Sequence, residues 1–355
     1  MMEGKKGPRR PHGRRRTMTY QEVRENARKK LAPACRVCRE CNGVACRGEI
    51  PGAGGKGTGR SFIRNCSCLA DIRIAMNTLY ENKGQDPSVE LFGRTFRYPI
   101  FAAPIGAINT NYPDALNDES YSRALINGTI AAGCAAFTGD GVKDCYFTDP
   151  LIPLKEAGGI GVPTIKPWEL DNVLQRVRWA EEAGAMALAM DIDAAGLIIL
   201  INAGKPVYPK GLAEMKAIIG STKLPFVIKG VMTLEGARLA LDAGAYGIVV
   251  SNHGGRVLED AAAPYEILPQ IRQLVGDRMK IFVDGGIRTG ADVFKAIALG
   301  ADAVLVGRPY VTAAYGGEAE GVRLYTEKLG SELRDAMLMS GCATLRDITP
   351  AKIYR

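Results

Sequence analysis

One histidine stands where the sequence could support acid–base chemistry. The segment SNHGGR (251–256) places His253 directly after an apolar run, and the only other histidine of the chain is His12. An imidazole changes its protonation near neutral pH, so His253 is a candidate general base. Arg256 offers a guanidinium that can bind a carboxylate through two hydrogen bonds. The pair indicates proton abstraction from an anionic substrate.

Two further charged residues directly follow apolar runs. Lys229 follows PFVI, and Asp191 follows ALAM. We expect Lys229 to direct its positive charge toward the site of His253 rather than toward solvent. Asp191 could orient His253 and stabilise its protonated form, as the acid does in a catalytic triad. Capping of a nearby helix or loop is the alternative role for Asp191.

Two loops combine glycine with arginine, in VDGGIRTG (283–290) and VGRPY (306–310). Glycines let backbone N–H groups approach an anion closely, and Arg288 and Arg308 can add charge-assisted hydrogen bonds. These loops therefore predict a phosphate-binding site. The alternative is that their glycines only form tight turns.

A cluster of cysteines lies near the amino terminus. The spacing C-x2-C-x2-C-x4-C is formed by Cys35, Cys38, Cys41 and Cys46. It resembles the ferredoxin run, although the last gap is one residue longer and no proline follows. Four thiolates also make a structural zinc site, and free thiols are the third possibility. We expect a metal centre, either iron–sulfur or zinc; an iron–sulfur cluster would pass electrons to an acceptor protein.

A recurring pattern predicts the elements that position these groups. In EAGAMALAMD (182–191) and DAGAYGIVVSN (242–252), a helix ends at a glycine and an apolar strand follows. Eight such strands are predicted, at 98–104, 134–139, 158–163, 187–191, 225–230, 246–252, 280–285 and 301–307. Eight alternating units favour a TIM (β/α)8 barrel over residues 96–355, whose reactive groups stand at the carboxyl ends of the strands.

Composition sets the remaining expectations. The 355 residues are 46% hydrophobic and 24% charged, which excludes a disordered chain. Much of the net charge of +8 lies at the amino terminus. Residues 1–18 are therefore predicted to be a disordered basic tail, with nucleic-acid binding as the less favoured alternative. Residues 19–95 form a Cys- and Gly-rich extension. Nine cysteines without a secretory signal or a membrane span predict a cytoplasmic protein.

Three segments carry a family resemblance: KGVMTLEGARLALDAGAYGIVVSNHGGR (229–256), IFVDGGIRTGADVFKAIALGADAVLVGRP (281–309) and LRDAMLMSGCATLRDI (333–348). They resemble the FMN-dependent α-hydroxy acid oxidase and dehydrogenase family, which includes glycolate oxidase and lactate oxidase. The resemblance implies an FMN-binding barrel that oxidises a 2-hydroxy acid to the 2-oxo product. It implies that His253 removes a substrate proton, Arg256 binds the substrate carboxylate and Asp191 supports His253.

The resemblance also implies a set of cofactor-binding residues. The set comprises Ala103, Pro104, Ile105, Thr138, Lys229, Ser251, Asp284, Gly285, Gly286, Arg288, Gly307 and Arg308. The two glycine-arginine loops would hold the FMN phosphate, and Asp284 would bind the ribityl chain. Lys229 would lie beside the isoalloxazine ring and stabilise the negative charge of the reduced flavin.

The chain departs from the family on the substrate side. Segment 191–204 contains no second substrate-binding arginine, and segment 159–166 contains neither the family's tyrosine nor its flavin-contacting glutamine. The Cys-rich segment replaces the family's N-terminal tyrosine. These departures argue against glycolate or lactate as the substrate.

Two other functions remain open from the sequence. One is an FMN-binding barrel with non-redox isomerase activity, and the other is a non-catalytic flavin or metal protein that acts as a sensor or electron carrier. The expected partners are a small hydroxy acid, an electron-acceptor protein and a second copy of this chain in a homo-oligomer. Neither a membrane nor nucleic acid is expected among them.

Overall fold

A computed structural model describes residues 18–205 and 207–355. The predicted basic tail lies outside these residues, apart from Met18. Eight parallel strands close into a barrel, which confirms the predicted fold class. The strands are β1 Ile100–Ala102, β2 Ala135–Thr138, β3 Val162–Ile165, β4 Leu188–Asp191, β5 Phe226–Val231, β6 Gly247–Val250, β7 Lys280–Asp284 and β8 Ala303–Val306. Each strand pairs with the next, and β8 pairs with β1.

Helices follow the strands and pack around the barrel. The helices are α1 Tyr20–Leu31, α2 Arg60–Asp71, α3 Ile108–Asn111, α4 Asp118–Ala131, α5 Cys145–Glu156, α6 Leu170–Glu182, α7 Ile198–Asn202, α8 Leu212–Gly220, α9 Leu234–Asp242, α10 Pro264–Val275, α11 Gly290–Ala298 and α12 Arg308–Ser340. Across the described ranges 18–205 and 207–355, no helix has both the length and the apolar character needed to cross a bilayer.

The predicted position of the third strand was wrong by several residues. The sequence predicts a strand at 158–163, whereas β3 covers Val162–Ile165. Gly158 and Gly159 adopt φ values of 68° and 79°, which form a turn instead of extended backbone. A side chain at Gly159 would collide with the carbonyl of Gly184 in the neighbouring unit. The glycine pair is therefore needed for close approach of two turns.

A short hairpin from the extension closes the barrel at the end where the strands begin. Its strands, Val89–Leu91 and Arg94–Phe96, pair with each other in antiparallel fashion. The ring of Phe92 stacks on Phe282 of β7 with 5.8 Å between centroids. The amide of Phe92 donates to the hydroxyl of Tyr246, just before β6, at 2.8 Å. Because this end of the barrel is plugged by apolar side chains, ligands must enter at the opposite end.

The extension is packed against the barrel. The buried residues of α1, Val23, Ala27 and Leu31, recur every four positions and form one apolar face. This face packs against α12, where a side chain at Gly316 would collide with the carbonyl of Val23. The glycine thus allows the backbones of α1 and α12 to approach closely, which anchors the start of the cysteine-rich segment.

Candidate active site

A buried charge network lies at the carboxyl ends of β3, β4 and β5. The last residue of β4, Asp191, is opposite Lys229 of β5 in the sheet register. Lys229 Nζ donates to Asp191 Oδ1 at 2.8 Å, and Lys166 Nζ donates to Oδ2 at 2.5 Å. Burial alone would raise the pKa of Asp191, but the charges of His253, Lys166 and Lys229 hold that pKa well below its usual range. Asp191 is therefore an anion locked between two cations.

His253 lies beside this network, but its nearest carboxylate was not predicted. His253 Nδ1 is 2.8 Å from Asp193 Oδ1 and 3.4 Å from Asp191 Oδ1. The backbone of His253 adopts φ 58°, and its amide donates to Ser251 Oγ at 3.0 Å. This left-handed turn aims the imidazole across the ends of the strands. With Nδ1–H donated to Asp193, Nε2 is left as the acceptor of a proton.

A β-bulge makes room for Asp193. The β5–β6 register shifts between Lys229 and Val231, and Gly230 between them has φ 101°. A Cβ at Gly230 would lie 2.6 Å from Asp193 Cγ, so only glycine allows the carboxylate to approach. The sequence does show a second acidic residue two positions after Asp191, in DID (191–193). The positions of the strands along the sequence do not reveal that this second carboxylate reaches His253.

Lys166 is the other functional residue that sequence reasoning missed. It follows β3 directly, as Lys229 follows an apolar run in β5. The mistaken position of β3 concealed this equivalence, because the predicted strand ended at residue 163. The network thus contains two lysines, whereas the sequence analysis assigned one. Burial by itself would lower the pKa of Lys229, but Asp191, Asp193 and Asp284 raise it above its ordinary value, so Lys229 stays charged.

A cavity of about 150 Å³ opens above this network. Most of the predicted site residues contribute to its wall. Those that do are Ala103, Pro104, Ile105, Lys229, His253, Arg256, Asp284, Gly285, Gly286, Arg288, Gly307 and Arg308. Thr138, Asp191 and Ser251 are buried and do not line the cavity. Asp191 therefore acts on this cavity through the groups that it holds.

The phosphate side of the cavity suits an anion. The guanidinium groups of Arg288 and Arg308 donate to carbonyl oxygens, including that of Cys41 at 2.8 Å and that of Ala53 at 2.6 Å, and neither pairs with a carboxylate among the described residues. Carbonyls leave the charge of a guanidinium without a counterion. The ring of Phe62 from α2 lies 3.8 Å beneath the guanidinium of Arg308 and fixes its plane.

The remaining polar groups fit a cofactor that carries several hydroxyls. Besides Asp193 Oδ2, three buried oxygens around the carboxyl ends of the strands have no hydrogen-bond partner among the described residues. They are Thr138 Oγ1, Thr164 Oγ1 and Asp284 Oδ1. A buried polar atom without a partner is costly, so a ligand that pairs with such atoms is stabilised. The residues present thus fit a phosphorylated, hydroxyl-bearing cofactor such as FMN.

Arg256 faces the same cavity and also lacks an acidic partner within the described residues. Its Nη1 donates to the carbonyls of Gly52 and Gly54 at 2.7 and 3.1 Å, and its Nη2 donates to Asn111 Oδ1 at 2.8 Å. Burial, reinforced by the neighbouring charge of Arg308, lowers the pKa of Arg256 to about 10. A bound carboxylate would reverse that shift.

The predicted metal residues do not form the compact geometry of a zinc site. All nine cysteines are free thiols. Cys35, Cys38, Cys41 and Cys46 line a second cavity, of about 270 Å³. In residues 18–205 and 207–355, however, the one group of three metal-ligating side chains with all ligand atoms within 4.8 Å is Asp191, Asp193 and His253. The cysteine sulfurs are therefore too far apart to share one tetrahedral ion.

Comparison with known proteins identifies the class of this barrel. The model of the FMN-dependent dehydrogenase family matches residues 52–199 and 208–355. The chain belongs to this family. The FMN-dependent dehydrogenase match begins inside the predicted extension and leaves out the four clustered cysteines. The family match thus supports FMN as the cofactor of this chain.

Named relatives agree with the family match. The 4-hydroxymandelate oxidase of Amycolatopsis orientalis is 31% identical, over 85% of this chain and 93% of that protein. A peroxisomal (S)-2-hydroxyacid oxidase of Arabidopsis thaliana is 45% identical, over 83% of this chain and 88% of that protein. A mandelate oxidase solved with (S)-2-phenylpropionate superposes with TM-score 0.77 at 29% identity, covering 95% of this chain and 97% of that one. The chain is an FMN-dependent hydroxy acid oxidoreductase.

Proposed function

We propose that this enzyme oxidises a 2-hydroxy acid with an apolar side chain to the 2-oxo acid, with Arg256 binding the carboxylate and His253 acting as the base. The observation that carries the proposal is that a buried guanidinium without an acidic partner and an imidazole with its Nδ1 already paired line one cavity. The buried guanidinium requires an anion, and the imidazole can accept a proton.

Arg256 supplies the binding energy for the carboxylate. Hydrogen bonds that involve a charged group contribute about 1.5–3 kcal/mol, and they are strengthened where water is excluded. Tyr112 lines the cavity next to Asn111, which holds Arg256. Burial raises the pKa of Tyr112, so its phenol remains a hydrogen-bond donor. Tyr112 thereby supplies a phenol in place of those missing from the family pattern.

His253 takes the proton of the substrate hydroxyl at Nε2. Its Nδ1–H donates to Asp193, and Asp191 lies 3.4 Å from the same nitrogen. Both carboxylates stabilise the imidazolium that forms, as the acid of a triad does. FMN, when bound, supplies the acceptor for the hydride that leaves the α-carbon. The hydroxy acid thus loses two electrons and two protons in total.

The side chain of the substrate is expected to be apolar. The segment after β4, where the family's second arginine is missing, contributes Leu197, Ile199 and Leu200 to the cavity wall. These side chains offer no hydrogen bonds and favour burial of hydrocarbon. Because the second arginine is missing, a small polar acid such as glycolate would gain little binding energy in this cavity. The 4-hydroxymandelate oxidase and mandelate oxidase relatives support an acid with a larger side chain.

The proposal is tested by mixing the FMN-loaded enzyme with a panel of 2-hydroxy acids under anaerobic conditions. Aliphatic and aromatic acids of increasing size are expected to bleach the flavin absorbance, with tighter apparent binding than glycolate. Matched 2-hydroxy amides, which lack the carboxylate, serve as controls and are expected to react poorly. If no acid of the panel bleaches the flavin, the assignment as a hydroxy acid oxidoreductase of this specificity is wrong.

A further inference from the structure

We propose that the cavity lined by Cys35, Cys38, Cys41 and Cys46 binds a [4Fe–4S] cluster through these four thiolates. The cavity has a volume of about 270 Å³, whereas about 10–15 Å³ on the same measure holds one water molecule. All four side chains are half-buried, and none is paired with another cysteine in a disulfide. The site therefore offers four thiols around a space far larger than a single ion needs.

The separation of the sulfurs distinguishes a cluster from a single metal ion. No three of these sulfurs lie within 4.8 Å of one another. Tetrahedral zinc requires Zn–S bonds of about 2.3 Å, which would draw the four sulfurs closer together than that. A cubane cluster places an iron atom in front of each thiolate and so keeps the sulfurs further apart. The open arrangement thus fits the larger group.

The backbone around the cysteines offers donors for the cluster sulfides. Residues 36–43 form no helix or strand, and most of their amides have no protein acceptor among the described residues, although that of Val37 bonds to the Cys35 sulfur. The segment is nevertheless held in place from outside, because Arg24 Nη2 donates to the carbonyl of Cys38 at 2.7 Å and Arg28 Nη2 donates to that of Val37 at 3.1 Å. Ordered amides without acceptors suit the N–H···S bonds that stabilise iron–sulfur clusters.

The charge of the cavity wall also matches the proposed occupant. A cluster with four thiolates carries net negative charge. The guanidinium groups of Arg24, Arg288 and Arg308 line the cavity and donate to carbonyl oxygens, and none of them pairs with a carboxylate among the described residues. Glu40 is the acid on the wall. The cationic groups thus outnumber the acidic ones where an anionic cluster would lie.

The two cavities of the molecule share a wall. Tyr112, Arg288 and Arg308 line both the proposed flavin cavity and the cysteine cavity. Arg288 Nε also donates to the carbonyl of Cys41 at 2.8 Å, which ties the cysteine segment to the phosphate loop. A cluster here would carry one electron at a time from the flavin toward a one-electron carrier protein. This route rests on the proposed function, whereas binding of the cluster does not.

The test is anaerobic reconstitution of the full-length, FMN-loaded protein with ferrous iron and sulfide. About four irons and four acid-labile sulfides per chain are expected, with a low-temperature electron paramagnetic resonance signal after dithionite reduction. Cys38→Ala is expected to lose the signal and most of the sulfide while it keeps FMN. Cys145→Ala is the matched control, because Cys145 is an exposed thiol outside the cavity, and it should keep the full complement.

Three results would overturn the proposal: stoichiometric zinc with no iron, no bound metal, or iron without sulfide that Cys38→Ala retains. Failure of the proposed function is distinguishable from these results. If hydroxy acids do not bleach the flavin but dithionite produces the cluster signal, the cluster stands and the substrate assignment fails. If hydroxy acids bleach the flavin in a protein without iron and sulfide, the substrate assignment stands and the cluster fails.

Discussion

The two cavities differ in how much of their structure is complete before a ligand arrives. At the barrel mouth, Asp191, Lys229 and His253 come from three successive strands, β4, β5 and β6, and each already has its charged partner. The cysteine cavity takes its sulfurs from one segment of twelve residues, 35–46, whose thiols and amides are largely without partners. The barrel thus orients its catalytic groups through their mutual charges, whereas the cysteine segment requires a ligand to complete its hydrogen bonding and thiolate coordination.

The largest effect is expected at the base of the barrel site. His253→Ala should lower the rate of anaerobic flavin reduction by about 10²- to 10⁴-fold, because general-base catalysis contributes this much. FMN should remain bound, since its proposed contacts lie elsewhere on the wall. The rate is measured by rapid mixing with a saturating hydroxy acid. His12→Ala, which removes the other histidine, serves as the control; equal rates for the two variants would refute the assignment of the base.

The second largest effect is expected on the free energy of unfolding, when the charge network around Asp191 is disrupted. Asp191→Asn leaves Lys166 and Lys229 buried without their shared anion, and the loss of one partner of a buried ion pair costs about 3–5 kcal/mol. The free energy of unfolding, measured by urea titration, is expected to fall by this amount. Asp277→Asn removes a fully exposed carboxylate, whose nearest cation is 3.8 Å away, and should change it little.

The same variant predicts how stability depends on pH. The pKa of Asp191 is depressed in the folded protein, so its contribution is present above the unfolded value of about 3.9 and is lost as the pH falls through the folded value. The difference in unfolding free energy between the parent and Asp191→Asn should therefore be constant from pH 7 to 5 and shrink in strong acid. A difference that already shrinks near pH 6 would contradict this view of the network.

A smaller effect is expected from the carboxylate clamp. Arg256→Ala should raise the apparent KM for a 2-hydroxy acid roughly 10- to 150-fold, which corresponds to about 1.5–3 kcal/mol for charged hydrogen bonds. Arg256→Lys keeps the charge but cannot form the bidentate hydrogen bonds, so it should recover only part of the affinity for the carboxylate. The matched hydroxy amide should be nearly insensitive to either change. Equal losses for acid and amide would mean that Arg256 does not bind the carboxylate.

The smallest effect tests what attaches the extension to the barrel. Arg64 of α2 and Glu266 of α10 form an ion pair at 2.5 Å, with side chains 57% and 35% exposed. Water screens such exposed pairs, so Arg64→Ala should hardly change the free energy of unfolding or the loading of either cavity. Phe62→Ala, by contrast, removes a buried ring and should cost about 3–5 kcal/mol. A larger loss in Arg64→Ala would show that surface charge holds the extension.

Much of the barrel site could be predicted because each residue is close in sequence to the strand that positions it. Asp191 ends β4, Lys229 lies near the end of β5 and His253 closely follows β6. Parallel strands bring their carboxyl ends together. Lys166 was missed because two glycines were mistaken for part of a strand. Asp193 was missed because its approach to His253 depends on a bulge at Gly230, which is a property of two paired strands.

The sequence by itself determined the number and order of the strands, the glycine-arginine loops and the spacing of the cysteines, since these depend on local periodicity and on the types of residues. Only the tertiary structure decided which carboxylate contacts His253 and which loops accept hydrogen bonds from Arg256. It also decided that the cysteine and flavin cavities share a wall. Such contacts join residues as many as 255 positions apart, as with Arg308 and Ala53. Their geometry follows from how strands and helices pack, which no local pattern encodes.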